Sequence, residues 1–306
     1  MENETVRFGR LNTCTFDEAL SLFNRGFSGY YSDMTRNMEQ LLASFAGNSI
    51  KPALSVVAFV GDDPAGFVFL ATKTVDGTKW AWNGGTGVAP EYRGKGIAKA
   101  LMREAQQVIA VEDVDCAILE VVCRNEYAIA AYESGGFHKI DQITGMTHKG
   151  ALSEQHIPVP DSAWGLQAEF GRASAAAELD FYREKVAWEC MWHNMKHGEA
   201  LIVRDPFGEA AAYALFSRVL DKQGNVESIV LYQCEAEPGR EDREVLFAFA
   251  LRHVYGPLDR ACSRSTSNLS MANPEVIGML QAAGFETSYE QYLMALERNA
   301  AEQKEA

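Results

Sequence analysis

Residues 83–102, NGGTGVAPEYRGKGIAKALM, run from a glycine-studded strand through a proline into a basic helix start. Pro90 cannot extend a strand, and Gly94 and Gly96 put no side chain where the helix begins, so several backbone N–H groups can converge on one point. The helix dipole adds partial positive charge there, and such a turn suits a phosphate or pyrophosphate. Arg93, Lys95, Lys99 and Arg103 concentrate positive charge on this segment of an acidic chain, although a solvated basic helix face would have the same composition. Two familiar phosphate loops fail here. A Walker loop needs glycine at position 89 and Ser or Thr at 96, where Ala89 and Gly96 stand; the dinucleotide fingerprint would have to end GTGVAP in Gly or Ala, and it ends in Pro90.

Working outward, the spacing predicts helices over TFDEALSLFNRGF and MTRNMEQLLASF, then strands ALSVVAFVG, PAGFVFLATKTV and KWAWNGGTGV. The helix GIAKALMREAQQVIA follows, with one apolar stripe at Ile97, Ala98, Leu101, Ala105, Val108 and Ile109. A strand CAILEVVC then leads into a helix at NEYAIAAYESGGF. The polar stretch GALSEQHIPVPDSAWG, with Pro158 and Pro160, reads as a linker. Beyond it the order repeats: a helix over AAELDFYREKVAWECMWH, strands EALIVRD, EAAAYALFSRVL and VESIVLYQCEAEP, a helix REVLFAFALRHVY, a short strand and a helix NPEVIGMLQAAGF. Pro90, Asn125, Gly136 and Phe137 recur as Pro238, Asn273, Gly284 and Phe285, all at a separation of 148 residues. One shared offset for four uncommon residues favours a duplicated fold.

The pattern R-x-x-G-x-A at Arg93, Gly96 and Ala98, after V-x-P at Val88 and Pro90, resembles the acetyl-CoA loop of the GCN5-related N-acetyltransferases (GNAT). LEVVCRNEYAIAAYESGGF is similar to that family's second signature, with Asn125, Ala128, Tyr132, Gly136 and Phe137 at matching positions. The resemblance implies an α/β (α+β) fold of two tandem GNAT-like domains, residues 1–150 and 151–306, each a mixed, mainly antiparallel central sheet flanked by helices. It further implies acetyl-CoA as co-substrate, with the backbone at Arg93, Gly94, Lys95, Gly96 and Ala98 cradling the pyrophosphate. Val88 would pair through its main chain with the pantetheine arm, Asn125 would contact that arm, and Tyr132 would protonate the departing thiolate.

Acyl transfer to an amine needs a neutral nucleophile, a polarised thioester carbonyl and an acid for the sulfur. Tyr132, a phenol with ordinary pKa near ~10, can be that acid or can be a helix residue packed on the sheet. The strand KWAWNGGTGV has no Asp, Glu or His where the family often places a base. Glu120 matches the glutamate of relatives that acetylate protein N-terminal amines; it is read either as the base or as an ion pair with Arg124. Phe27, Tyr30 and Tyr31, in the loop NRGFSGYYSDMTRN, can wall a cationic substrate, with Asp33 pairing its charge.

The length of 306 residues suits two domains. The net charge of −14 disfavours nucleic acid and fits a cationic substrate better. Residues 1–150 carry 14 Lys and Arg against 18 Asp and Glu, the remainder 14 against 24, so the second half is the more acidic. Six cysteines without a C-x-x-C pair read as free thiols of a reducing cytoplasm, and no apolar run is long enough for a membrane span. At the shared offset Arg93, Gly94, Gly96 and Tyr132 become Glu241, Asp242, Glu244 and Leu280, so the second copy should repel a pyrophosphate and serve a substrate cleft or an interface, a homodimer included. Cys190, His193 and His197 would share one helical face, but with no fourth ligand no metal is expected. The expected function is transfer of an acetyl group from acetyl-CoA to a primary amine of a small, cationic substrate by direct attack. The alternatives are a protein N-terminal or lysine acetyltransferase and a non-catalytic acyl-CoA-binding regulatory module.

Overall fold

The structure, a computed structural model, describes residues 5–298. The chain divides into two compact units, Met1–Ile140 with Met294–Ala306, and Asp141–Leu293. The division differs from the one expected at 150/151 because strands are exchanged between the two halves of the sequence.

In the first unit the strands β1 (Val6–Arg10), β2 (Val56–Val60), β3 (Asp63–Val75) and β4 (Thr78–Val88) form an antiparallel meander, and β5 (Cys116–Val122) runs parallel to β4. The helices are α1 (Phe16–Gly26), α2 (Met38–Gly47), α3 (Ile97–Val111) and α4 (Glu126–Ser134). Capping boxes start two of them: Thr15 with Glu18 for α1, and Asn37 with Gln40 for α2. Successive side chains of β3 alternate between faces. Phe67 and Phe69 stack on Phe23 of α1, while a Cβ at Gly66 would press on Leu101 of α3. The stripe of α3 is Ile97, Leu101, Met102, Ala105, Val108 and Ile109; Met102 takes the buried place expected of Ala98.

In the second unit β7 (Gln167–Arg172), β8 (Glu199–Arg204), β9 (Ala210–Leu220) and β10 (Val226–Ala236) form the meander, and β11 (Cys262–Thr266) runs parallel to β10. Its helices are α5 (Arg243–Val254) and α6 (Pro274–Ala282), and the two-residue strand β12 (Leu269–Ser270) lies before α6. The two halves even share an irregularity. Gly84 is the extra residue of a bulge in β4, and Tyr232, 148 positions on, is the extra residue of the same bulge in β10.

The final strands are exchanged. β6 (His138–Gly150), which follows α4 in sequence, pairs antiparallel with β11, and β13 (Glu286–Glu297), which follows α6, ends beside β5. Past its end, Arg298 donates its amide to the Asp115 carbonyl at 3.0 Å and pairs with the Asp113 and Asp115 carboxylates, fastening the returned chain to the first unit.

Two expectations need correction. The polar stretch after residue 150 is packed, because Leu152 and Ile157 are buried in the second unit's core with Met146, Leu201 and Tyr255. The segment expected as a helix over AAELDFYREKVAWECMWH forms only 3-10 turns, at Ala173–Glu178, Trp188–Cys190 and Trp192–Asn194. Side chains take its backbone groups: the Arg183 amide donates to the Tyr213 hydroxyl at 3.0 Å, the Trp192 amide to the hydroxyl of Tyr182 within the segment at 3.3 Å, and Gln233 Nε2 donates to the Cys190 carbonyl at 2.8 Å. These satisfy groups that i→i−4 bonds would otherwise use, so helix propensity is overridden. Cys190, His193 and His197 therefore share no helical face; Cys190 Sγ points to the Ser267 carbonyl at 3.3 Å and His197 is left-handed. Among the described residues no group of three potential metal ligands converges, and no helix is long and apolar enough to cross a membrane.

Candidate active site

The site is built where β4 and β5 part. They pair only over Trp80–Trp82 against Cys116–Ile118. Downstream, the bulge at Gly84 and the backbone of Gly85 (φ 153°) turn β4 away, and the two strands open a gap. Asn83 fixes this turn: its Oδ1 accepts from the Gly85 amide at 3.1 Å, and its Nδ2 donates to Thr86 Oγ1 at 2.9 Å. The Ala89 amide bonds the Ala65 carbonyl, so by antiparallel alternation the Val88 amide and carbonyl face the opposite edge, the open one.

At the end of β4 the chain makes a 3-10 turn at Pro90–Tyr92 and enters α3 through Gly94 (φ 74°) and Gly96 (φ 80°). No atom lies within 4 Å of a Cβ built on either glycine, so backbone conformation and open space, not crowding by the protein, set glycine here. Whereas α1, α2 and α4 are capped by side chains, α3 has no side-chain cap. The amides of its first turn are left to a ligand or water. The turn itself is braced. Arg93 donates to the carbonyls of Val88 (2.9 Å), Gly26 (3.1 Å) and Ser28 (2.8 Å), tying it to the end of α1. Arg25 bonds Asp63, which also receives the Tyr92 hydroxyl at 2.9 Å, and Lys95 lies over the Tyr92 ring. Arg93 thus serves the loop through its side chain as a brace, and the Val88 carbonyl is spent on it.

On the other side of the gap, Tyr132 is buried on α4 with Thr86 beside its hydroxyl. Burial, and then the nearby Tyr30 and Glu120, push its phenol well above the ordinary value near 10. Tyr132 stays protonated at physiological pH. Glu120, on β5 just beyond the paired segment, accepts a hydrogen bond from Trp82 Nε1 at 2.7 Å. The indole is held in turn: a Cβ on Gly84 would come within 2.6 Å of the Trp82 ring and 2.7 Å of Ile50. Arg124, the expected ion-pair partner of Glu120, instead lies over the Tyr31 ring at 4.7 Å. Asn125 caps α4, its Oδ1 accepting from the Ala128 amide at 3.3 Å, and lies near Tyr30.

Phe27, Tyr30 and Tyr31 do form one aromatic group, with ring centroids 5.3 and 5.2 Å apart, and the Tyr31 hydroxyl donates to the Arg124 carbonyl at 3.3 Å. Asp33 is exposed and accepts from the Thr35 amide at 2.9 Å; its hydrogen bonds to Thr35 hold its carboxyl below the usual range. Val88, Gly94, Lys95, Gly96 and Ala98 thus lie from the end of β4 into α3, Glu120 lies on β5, and Asn125 lies at the start of α4 with Tyr132 on it, while Phe27 is beside Gly85 and Tyr30 beside Asn125. Sequence reasoning missed Trp82, Asn83 and Thr86. A tryptophan two residues before a glycine in a strand was the one available signal for the first.

Residues 16–137 match the acetyltransferase (GNAT) family. That match covers the first unit, and the chain as a whole has a tandem GNAT-like fold. No curated protein matches it in sequence. Among solved structures it is similar over 95% of its length, and 95% of theirs, to a GCN5-related N-acetyltransferase from Sphaerobacter thermophilus (15% identity, TM-score 0.60). A tandem GNAT protein of clavulanic acid biosynthesis is matched over 96% of this chain and 98% of that one (17% identity, TM-score 0.53). A GCN5-related glucosamine N-acetyltransferase region of a fungal β-N-acetylglucosaminidase gives a TM-score of 0.63 at 15% identity; the match covers 96% of this chain but 38% of that one. At these identities the likeness is one of fold.

The second copy keeps the frame with different residues at the candidate positions. Positions equivalent to Trp82, Gly84, Glu120 and Tyr132 hold Val230, Tyr232, Asn268 and Leu280. Asn273, the counterpart of Asn125, is fully engaged: it accepts from Arg243 at 2.6 Å and donates to the Cys234 carbonyl at 3.0 Å and Glu235 at 2.7 Å. At the start of α5 Asp242 is paired with Arg240 at 2.8 Å, which also reaches Asp205. Acidic side chains stand where the first copy presents bare amides.

Proposed function

We propose that the first GNAT unit transfers the acetyl group of acetyl-CoA to the primary amine of a small, cationic molecule. The observation that carries this reading is the uncapped α3 turn at one end of the β4/β5 gap, with a protonated phenol and a carboxylate at the other. The amides of Gly94, Lys95, Gly96, Ile97 and Ala98 would receive the pyrophosphate, and the Val88 amide would pair with the pantetheine chain. The thioester supplies an activated acyl carbon and a thiolate leaving group. Glu120 accepts the proton that the amine nitrogen loses as the C–N bond forms, directly or through water. Tyr132 donates its phenolic proton to sulfur as the C–S bond breaks, and is reprotonated from solvent. Glu120 returns its proton to solvent, and the products are the amide and the free thiol, so charge and protons balance.

The net charge of −14 and the Phe27 and Tyr30 rings support a cationic acceptor, whereas Arg124 already covers Tyr31. The Trp82–Glu120 pair favours a second acceptor class, the N-terminal amine of a peptide, by holding a carboxylate at the family position used in relatives of that kind. A thiol-reactive dye reports CoA release with polyamines, aminoglycosides, amino acids and short peptides. Amine-dependent release is expected. Release by peptides alone would select the second class, and no release with any amine, despite acetyl-CoA binding, would identify a regulatory binding module.

A further inference from the structure

The second unit has lost the transfer chemistry, yet it retains a cavity at the corresponding point of its sheet. β10 and β11 pair from Ser228–Leu231 against Ser263–Thr266 and then part, as β4 and β5 do. At that gap lies a pocket of about 450 Å³, walled by Tyr232 of the bulge, Ser267, Ser288 and Tyr289, with Glu189 and Lys196 at its sides. The volume falls within the range of roughly 300–1,000 Å³ usual for small-molecule sites.

The walls are set in advance. Gly145 on β6 lets the Tyr289 ring lie across the strand, since a Cβ there would stand 2.1 Å from the ring. The Tyr289 hydroxyl accepts from the Asn268 amide at 3.2 Å; Asn268 Nδ2 donates to Glu189 Oε1 at 3.2 Å, and Ser267 Oγ donates to the same oxygen. One Glu189 oxygen is therefore anchored, and among the described residues no cation pairs with its carboxylate. Lys196 likewise has no ion-pair partner among the described residues. Asn268 Oδ1 is buried without a hydrogen-bond partner, a further unused acceptor in the same network.

Two uncompensated charges of opposite sign and a wall of hydroxyls suit a ligand that carries both charges itself. We infer that the second unit binds a small zwitterion of amino-acid type, its ammonium set against Glu189 and the Tyr232 and Tyr289 rings and its carboxylate against Lys196. The phosphate-repelling start of α5 keeps CoA out, so this is a binding function without transfer. It does not depend on the reaction proposed for the first unit.

Isothermal titration of the whole chain, without acetyl-CoA, tests it with L-serine, L-arginine and glycyl-L-serine, against ethanolamine and glycolate, which keep one charge each. Saturable binding of at least one zwitterion is expected, with both single-charge controls at least about tenfold weaker. Glu189→Gln and Lys196→Gln, both at exposed positions, should each weaken that binding at least about tenfold while leaving acetyl-CoA binding unchanged. Undiminished binding in either variant would place the ligand elsewhere, equal binding of ethanolamine would refute the zwitterion, and the absence of heat with every probe would overturn the site.

Discussion

Two helices, α3 and α5, begin at the same point of two copies of one fold, and they present opposite surroundings to an anion. Both lack a side-chain cap at the first residue. At α3 the approach is two left-handed glycines with nothing near them, flanked by Arg93 and Lys95. At α5 it is Glu241, Asp242 and Glu244, with Asp242 locked to Arg240. The helix dipole is common to both, so dipole alone does not make a phosphate site; open amides and the sign of the neighbouring side chains decide it. The positions of Tyr132 and Glu120, the proposed acid and base, hold Leu280 and Asn268 in the second copy.

The sharpest way to break this contrast is to make α3 resemble α5. Gly96→Glu adds a carboxylate at the turn and forces a side chain into a φ of 80°; acetyl-CoA affinity should fall by at least about 100-fold in calorimetry. Retained affinity would mean that the pyrophosphate lies elsewhere. Tyr132→Phe should lower kcat by roughly 10³-fold with the cofactor affinity within about twofold. Because burial raises the phenol above its usual value near 10, Tyr132 should cause no loss of rate as pH rises to about 10. An alkaline limb below that pH which vanished in the Phe variant would contradict this environment.

Glu120→Gln should reduce kcat by roughly 10²-fold, with KM for acetyl-CoA little changed, since the amide still accepts from Trp82 but takes up no proton. Full activity in this variant would assign the base to another group. The smallest effect is expected of Arg93→Ala, which removes three carbonyl contacts at an exposed site: a stability loss of about 1–2 kcal/mol in chemical denaturation, with weakened cofactor binding as the loop loosens. A loss of binding with no change in stability would instead give the guanidinium a direct role on the ligand.

Much of the first unit was legible in the chain. The capping boxes at Thr15 and Asn37, the stripe of α3 and the paired glycines all act within a turn or two of sequence. The left-handed turn at Gly94 and Gly96 was legible as a turn, and the resemblance pointed to Asn125 and Tyr132 as candidates. Trp82 was not legible, because its link to Glu120 depends on parallel strands joined by a long connection, and register there is set by packing rather than by neighbours in sequence. The segment around residues 173–197 misled for the opposite reason: its composition favours a helix, but Tyr213 and Gln233, distant in sequence, together with Tyr182 of the segment itself, supply its hydrogen bonds.

By itself the sequence determined the duplicated order of elements, the left-handed glycine turn with its positive surroundings, and the loss of that turn in the second copy. These follow from steric limits and charges that operate over a few residues. Only the tertiary structure decided that β6 and β13 change places, that an indole holds Glu120, and that a hydroxyl-lined cavity lies where β10 and β11 part. Each of those is a choice among long-range partners, settled by which pairing buries and satisfies the whole unit best, and no local pattern encodes that choice.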